Sequence, residues 1–532
     1  MYKKYLLLAA CGLILTGCGG ESESKFDSNT NTNTNTNGNG NGNGNGDGNG
    51  NGNGNGNGNG NGNGNGNGNG KYLVVPKDYD KPDGDKVRIY YTIHPATSSK
   101  QRIGILLLNF GGPGSTAADR LLSQVSSMPT SITESFDIVA MDPRGAGKSA
   151  FARELMTCAV IGSCDSTYKE ISPYMGSNAV IQDMDSLREH LNEDQINYLG
   201  YSYGTRLGAL YAERYPTKIR ALVLDSSMSP LHQNYEELRI DQAQGHHKIA
   251  NYRLAEKPKS MAKLNDIVTQ TKDGDYTAND GGTLNKDNVH QILGEMTNPM
   301  RDFFNYSMGI SWRESKLGLS LSALFDKDKA KPFICWRTQC ETESNNLSFS
   351  HILKESFTSD EKRSSAMFRS VMCTDERIPL DDSDIEGNED KYLASSSIYG
   401  DYLKENLSGL CKGWTAQRSP IASQSEIENK ITEQVLIVGG LYDPQTSYNW
   451  SVEMKDTITN AALITIADTV GHGFSYNGIG SCLDDIVTNY LLKPEVKVTD
   501  QQCKRVKKIS YRYSNEDPTV PVNSAHSGDI HL

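Results

Sequence analysis

Ser202 lies in the middle of the pentapeptide GYSYG, residues 200–204, which follows a short apolar run at residues 196–199 and precedes a stretch with helical spacing. In a sharp strand-to-helix turn of this kind, flanking glycines let two backbones pass closely and the serine hydroxyl is exposed above a sheet. The motif therefore predicts that Ser202 is a nucleophile. Because a serine hydroxyl is a weak nucleophile, a histidine must take its proton and an acid must orient that histidine.

Chain order supplies candidates for the acid and the base. In α/β-hydrolases the order is serine, acid, histidine, and the last two lie on loops after late strands. Residues 435–440 form a buried-strand pattern that leads to Asp443, and residues 462–467 form another that leads to His472. We expect Asp443 and His472 to complete the triad, since the other histidines precede Asp443 or lie in the tail. Asp468, at the end of the second strand, is the competing acid.

A glycine-containing loop is a candidate for binding the oxyanion of a tetrahedral intermediate. The apolar strand pattern at residues 103–108 is followed by NFGGPG at residues 109–114. In this fold the oxyanion donors are the backbone N–H of the residue after the nucleophile and an N–H from an early loop. We expect Gly112 and Tyr203 to be the donors, with Gly111 as the second choice in the loop. The alternative is an ordinary glycine turn.

The segment GAGKS, residues 145–149, looks like the end of a phosphate-binding loop and is rejected as one. Such a loop needs a further glycine five positions before the second glycine, and Asp142 stands there, where its carboxylate would repel phosphate. We expect Asp142 and Arg144 to brace this turn through a local ion pair instead.

The order of strand and helix patterns predicts an α/β-hydrolase fold, with a mostly parallel sheet flanked by crossover helices. Catalytic groups then gather at the carboxyl ends of the strands. Asp443 lies 241 positions after Ser202, and most of this interval consists of polar, helix-like segments. We therefore expect a core formed by residues 72–229 and 426–510, with a mainly helical cap domain inserted at residues 230–425.

Five motifs together resemble the secreted tripeptidyl aminopeptidases, which are serine exopeptidases related to the proline iminopeptidases. The resemblance covers about residues 72–505, and its C-terminal part, residues 481–503, is similar to that family's terminal domain. Phe110 stands where relatives usually carry proline or histidine, and Ser115 stands where they often carry glycine. The motifs lie at residues 109–114, 142–149, 200–205, 442–446 and 471–473.

The resemblance implies a substrate with a free N-terminus and a reaction that needs no cofactor. Related aminopeptidases are expected to bind the α-ammonium group of the peptide with carboxylates of the cap. The candidates in this chain are Glu236, Glu237, Asp375 and Glu376, and Asp375 is preferred.

The N-terminal segment predicts export. Lys3 and Lys4 precede an apolar stretch at residues 5–15 that is too short to span a membrane, as in a secretory signal. Residues 15–18, LTGC, resemble a bacterial lipobox, so residues 1–17 would be removed and Cys18 lipidated. Gly19 after this cysteine favours the outer membrane in a cell that has one.

Residues 18–71 form an Asn-, Gly- and Thr-rich linker that cannot bury a core. We expect this linker to be disordered and to hold the catalytic domain off the membrane. The polar tail at residues 511–532 shows no strand pattern.

Eight of the ten cysteines lie beyond Cys11 and Cys18, an even number that agrees with an oxidising compartment. The absence of Cys-x-x-Cys and His-Glu-x-x-His spacings argues against a metal site. Sequence alone leaves the connectivity open. Pairing of nearest neighbours suggests Cys158 with Cys164, Cys335 with Cys340, Cys373 with Cys411 and Cys482 with Cys503, and the last two pairs also fit the family resemblance.

The net charge is −12, and it becomes −14 when residues 1–17 are removed, because they hold Lys3 and Lys4 and no acid. Nucleic acid is therefore an unfavourable partner. Two alternatives to the peptidase stay open from the sequence: an esterase that uses the same machinery, and a surface binding protein with an inactive site.

Overall fold

A computed structural model describes residues 70–255, 258–277, 283–298, 358–422, 431, 433–458 and 460–505 of the 532-residue chain. The predicted signal, the lipidated cysteine Cys18, almost all of the linker, the pair Cys335 and Cys340, and the C-terminal tail lie outside these residues. No helix in the described ranges is long and apolar enough to cross a membrane.

A nine-stranded sheet forms the centre of the described fold, with the strand order β1-β2-β4-β3-β5-β6-β9-β10-β11. The β1–β2 and β2–β4 pairs are antiparallel and every other pair is parallel. A separate antiparallel pair, β7 and β8, lies in the cap. The strands are β1 Gly70–Pro76, β2 Lys86–His94, β3 Gly104–Asn109, β4 Phe136–Met141, β5 Ile196–Tyr201, β6 Ile219–Asp225, β7 Tyr276–Thr277, β8 Thr283–Leu284, β9 Val435–Tyr442, β10 Ala461–Val470 and β11 Gln501–Cys503.

Helices cover both faces of this sheet, and two hydrophobic clusters lie between the helices and the strands. Every residue of β3 and β5 is buried, which explains why these strands are almost continuously apolar in sequence. The α/β-hydrolase fold predicted from the sequence is confirmed.

The α-helices of the described residues are α1 Leu121–Val125, α2 Thr130–Ser135, α3 Ala152–Ile161, α4 Asp165–Ile171, α5 Ser177–His190, α6 Tyr203–Arg214, α7 Tyr235–Leu254, α8 Pro258–Asp273, α9 Lys286–Met296, α10 Ser359–Thr374, α11 Asp382–Glu386, α12 Glu389–Ser395, α13 Gly400–Leu407, α14 Tyr448–Thr457 and α15 Ser481–Leu492. Short 3₁₀ helices occur at Ala118–Arg120, Ser172–Tyr174 and Pro216–Lys218.

The insert between β6 and β9 is helical and is joined closely to the core. Helices α7, α8, α9 and α13 share a hydrophobic cluster of their own. Helix α10, in contrast, packs on α3, and its Met367 and Val371 belong to the main core. Arg363 of α10 is buried and donates hydrogen bonds to the carbonyl oxygens of Gly145 (2.7 Å) and Gly114 (3.0 Å). The cap is thus anchored to the loops around the active site.

Three disulfides lie within the described residues, and they follow the nearest-neighbour pairing. Cys158 is bonded to Cys164 at the end of α3. The other two are Cys373 with Cys411, within the insert, and Cys482 with Cys503, which joins α15 to β11.

The ion pair expected between Asp142 and Arg144 does not form. The Arg144 guanidinium is fully buried and binds both carboxylate oxygens of Asp183 in α5, at 2.7 and 2.8 Å. Asp142 instead accepts hydrogen bonds from the backbone N–H groups of Ala117 and Ala118. The prediction was wrong because each group finds a better buried partner in an element distant in sequence.

Candidate active site

Ser202 occupies a tight turn between β5 and α6. Its backbone has φ 56° and ψ −123°, a conformation that residues other than glycine rarely adopt. A methyl group added to Gly200 would lie 2.6 Å from the Gly204 carbonyl oxygen, and one added to Gly204 would lie 2.9 Å from the Asn109 carbonyl oxygen. Both glycines are therefore required by close backbone packing, as the pentapeptide predicted.

Asp443 and His472 are brought together after β9 and β10. The Nδ1 atom of His472 lies 3.0 and 2.9 Å from the two carboxylate oxygens of Asp443. The same carboxylate accepts hydrogen bonds from the backbone N–H groups of Gln445 and Thr446 and from the Thr446 hydroxyl. Asp443 is therefore held as an acceptor, and it fixes the orientation of the imidazole.

The second ring nitrogen of His472, Nε2, is buried and has no hydrogen-bond partner among the described residues. A neutral imidazole that donates from Nδ1 to a carboxylate carries a lone pair on Nε2. This nitrogen can therefore take a proton from a nucleophile during a reaction.

The competing acid, Asp468, makes other contacts. Its Oδ1 accepts the backbone N–H of Arg505 at 3.0 Å and the Thr469 hydroxyl at 3.3 Å. The carbonyl oxygen of Asp468 accepts the Tyr252 hydroxyl. The hydrogen bonds of His472 thus favour Asp443 as the acid.

Asp225, at the end of β6, is a site residue that the sequence analysis missed. Its buried carboxylate accepts the backbone N–H groups of Phe474 and Ser475, and the neighbouring Ser226 hydroxyl accepts the N–H of Gly473. The carbonyl oxygen of Asp225 also accepts the N–H of Ser202, at 2.9 Å. Burial raises the pKa of Asp225. The end of β6 thus holds both the serine turn and the histidine loop. The sequence signal that could have indicated Asp225 is an acidic residue at the end of a buried strand.

The glycine loop packs directly on the serine turn. Gly111 and Gly112 have φ angles of 82° and 107°, and the N–H of Gly111 donates to the side-chain oxygen of Asn109. A methyl group added to Gly111 would lie 2.8 Å from the Cβ of Ser202, so only glycine fits there. Tyr203 is the first residue of α6, where backbone N–H groups face outward from the helix. Of the predicted oxyanion donors, Tyr203 directly follows the serine and Gly112 lines the same cavity as Ser202.

A cavity of about 200 Å³ opens between the core and the cap and includes Ser202 and Gly112 in its lining. Two basic side chains, Arg239 and His246, line this cavity. Burial lowers the pKa of His246 to about 4 and keeps its imidazole neutral at pH 7. The Nε2 of His246 donates to the carbonyl oxygen of Pro444, next to Asp443. The further lining includes Met228, Leu238, Gln242, Phe368, Met372, Tyr402, Leu407, Gln445, Thr446 and Trp450.

The four carboxylates expected to bind a substrate ammonium group do not line this cavity. Asp375 accepts hydrogen bonds from the backbone N–H and the hydroxyl of Ser177, and burial raises its pKa to about 6. The other three bind protein groups as well. Glu236 accepts from Asn388, Tyr392, Ser408 and Gly409; Glu237 from Gln233 and Asn234; and Glu376 from Tyr235 and Arg418. Amine recognition is therefore not assigned to these side chains.

One group in the described ranges has the composition of a metal site, namely His290, Asp401 and Glu405. The Lys286 ammonium contacts both carboxylates, at 2.7 Å from Asp401 and closely at Glu405. This ammonium group pairs with both carboxylates and offsets part of their charge, so the group is best described as an ion-pair cluster.

The fold, the serine in the tight turn after β5 and the paired acid and histidine define a serine hydrolase of the α/β-hydrolase fold. Residues 104–265 match the family described as the alpha/beta hydrolase fold, and residues 396–503 match the family described as TAP-like protein. These two segments are therefore similar to those families, and the fold agrees with the first of them.

Named relatives cover most of the chain. It is 25% identical over 478 residues to serine protease Hip1 of Mycobacterium tuberculosis, spanning 81% of this chain and 86% of the relative. It is 24% identical over 466 residues to tripeptidyl aminopeptidase of Streptomyces lividans, spanning 81% and 83%. It is 28% identical over 469 residues to carboxylesterase B of Mycobacterium tuberculosis, spanning 81% and 85%.

Proposed function

We propose that this protein is a serine peptidase that removes short peptides or single residues from free N-termini. The observation that carries the proposal is the cavity that includes Ser202 in its lining and lies beneath the cap. A site of this kind admits the end of a chain more readily than the middle of a folded one. The TAP-like domain and the relatives named serine protease and tripeptidyl aminopeptidase support peptide bonds as the target.

In this proposal the reaction proceeds through an acyl-enzyme. The Ser202 hydroxyl attacks the carbonyl carbon while His472 Nε2 takes the hydroxyl proton. The proton then passes to the leaving amine, and Asp443 stabilises the imidazolium. The N–H groups of Gly112 and Tyr203 hold the oxyanion, and a water activated by His472 releases the acyl group.

The test compares hydrolysis of peptide anilides that carry one, two or three residues, each with a free or an acetylated N-terminus. Ser202→Ala should lower kcat by about 10⁴-fold or more. Ser123→Ala, at an exposed serine, is the matched control and should behave like the wild type. Cleavage that depends on Ser202 and is restricted to free amines supports the aminopeptidase, and the length that is cut identifies the unit released. Equal cleavage of acetylated substrates would contradict it.

A carboxylic ester hydrolase is the second candidate, and the similarity to carboxylesterase B favours it. The same serine, histidine and oxyanion donors act on esters, because fold alone does not set the substrate. Rapid turnover of short-chain esters without cleavage of any anilide would establish this alternative.

We also propose that the protein is exported and anchored through lipid on Cys18, with the outer membrane as its location in a cell with two membranes. The basic and apolar N-terminus and the LTGC segment support this proposal. Wild-type protein should incorporate labelled fatty acid and partition into detergent, whereas Cys18→Ser should do neither. Labelling of the variant at the wild-type level would refute the anchor.

A further inference from the structure

Arg239 on helix α7 is a cation held in the cavity that contains Ser202. Its guanidinium lies over the Tyr235 ring, 4.7 Å from the centroid, and 6.0 Å from the centroid of Phe368. One guanidinium nitrogen, Nη1, donates to the side-chain oxygen of Gln242. Gln242 in turn donates to the carbonyl oxygen of Pro444, beside Asp443. The guanidinium is therefore fixed by a ring on one face and by an amide at one edge.

This guanidinium has no carboxylate partner in the described part of the chain. Among the described residues, no acidic side chain lies within 4.0 Å of the Arg239 guanidinium, although several other arginines are paired. Its Nε is buried and has no hydrogen-bond partner among the described residues. A positive charge kept in a cavity without a counterion is costly unless a bound anion supplies one.

The cavity that contains Arg239 has both polar and apolar walls. Met228, Leu238, Phe368 and Met372 line it together with the arginine. A cavity of this kind suits a ligand group with a hydrocarbon part and a charged end. Arginine is the side chain best suited to a carboxylate, because its planar fork can donate two parallel hydrogen bonds.

We infer that Arg239 binds a carboxylate of the substrate and makes this enzyme selective for peptides that carry one beside the scissile bond. The inference rests on the proposed function, since it names the substrate class of the same site. The carboxylate has two possible sources: an acidic side chain, or the free C-terminus of a very short peptide.

The experiment measures kcat/KM for pairs of substrates that differ in one group. Free-amine peptide anilides with Glu or Gln before the scissile bond test the side chain. Alanine peptides with a free carboxylate or a carboxamide at the C-terminus test the terminus. Wild-type enzyme should prefer the charged member of one pair by about 10- to 100-fold, the range of a charge-assisted hydrogen bond. Which pair shows the preference identifies the source.

Variants of Arg239 then assign the preference to this residue. Arg239→Met should abolish the ratio between charged and neutral substrates, and Arg239→Lys should keep part of it. The exposed Arg153→Met is the matched control and should leave the ratio unchanged. If Arg239→Met does not fold, the Lys variant and the salt dependence of the wild-type ratio decide. No preference in either pair, or a preference that survives in the variants, would overturn the inference.

Failure of the peptidase proposal gives a different result. The Glu and Gln peptides are also prepared as nitrophenyl esters, which a serine esterase would cleave. If no anilide is hydrolysed, the ester pair still measures the charge preference and its dependence on Arg239. If the ester pair shows no charge preference, the role of Arg239 is contradicted independently of the peptidase proposal.

Discussion

Both carboxylate oxygens of Asp225 accept the backbone N–H of Phe474, at 3.0 Å each. Asp225 ends β6, whereas Phe474 lies in the loop after β10, two residues after His472. This contact therefore joins the end of β6 to the loop that carries the histidine. The N–H of Ser475 donates to the same carboxylate at 2.6 Å. The position of the histidine loop therefore depends on a buried acid outside the proposed triad.

We predict that Asp225→Asn lowers kcat/KM by about 10- to 100-fold and lowers the melting temperature, because an amide turns N–H donors toward the N–H groups of the loop. Both kcat/KM and the melting temperature are measured. Asp137→Asn, at the second residue of β4, is the control. Catalysis at the wild-type level in a folded variant would show that Asp225 does not position His472.

Replacement of the two candidate acids should separate them. Asp443→Asn is expected to lower kcat by about 10⁴-fold, because an amide no longer holds the imidazole in the tautomer that leaves Nε2 free to accept. Asp468→Asn should keep kcat within about threefold of the wild type, since its contacts are with the Arg505 backbone and Thr469. The reverse pattern would make Asp468 the acid.

His246 predicts a pH dependence of stability. Burial lowers the pKa of His246 to about 4, below the value of about 6.5 in an unfolded chain. As the pH falls, the unfolded state therefore binds the proton first, so the stability from neutral His246 is complete above about pH 6.5 and is lost toward pH 4. The loss has a slope of up to about 1.4 kcal/mol per pH unit.

The check is the free energy of unfolding in urea at pH 7.5, 6 and 5 for the wild type and for His246→Gln. The difference between the two proteins should move in favour of the variant as the pH falls. A difference that stays constant across these pH values would contradict the assignment of this titration to His246.

Arg363 ties the cap to the active-site loops, so its removal should destabilise the protein. In Arg363→Met the carbonyl oxygens of Gly114 and Gly145 lose their buried donor. We expect a loss of about 2–4 kcal/mol in the free energy of unfolding, measured with urea. Arg153→Met, at the surface, should change stability by less than about 0.5 kcal/mol. A similar small change at Arg363 would show that the cap is held elsewhere.

The sequence could predict those parts of the site that depend on short segments. A buried strand followed by a glycine turn fixes where Ser202 stands, and two further strand patterns end near Asp443 and His472. These positions follow from local backbone preferences and from chain order, which a single sequence displays. The buried strands β3 and β9 were predictable for the same reason, because they are apolar at nearly every position, whereas β2 and β11 carry several polar residues.

The sequence could not predict contacts between elements that are distant along the chain. Arg144 pairs with Asp183 instead of Asp142, and Asp225 anchors a loop 249 residues away. The cap acids, such as Asp375, proved to be bound within the protein because the packing of α10 decides which of them face a cavity.

By itself, then, the sequence determined the fold class and the order of the chemical groups, since both are carried by local patterns of apolar residues, glycines and polar loop residues. Only the tertiary structure decided which charges are paired inside the protein, and it placed Arg239 in the cavity that contains Ser202 without a carboxylate partner among the described residues. The physical reason is that burial and pairing depend on how distant segments pack together, and a charge left without a partner can be recognised only when its neighbours are known.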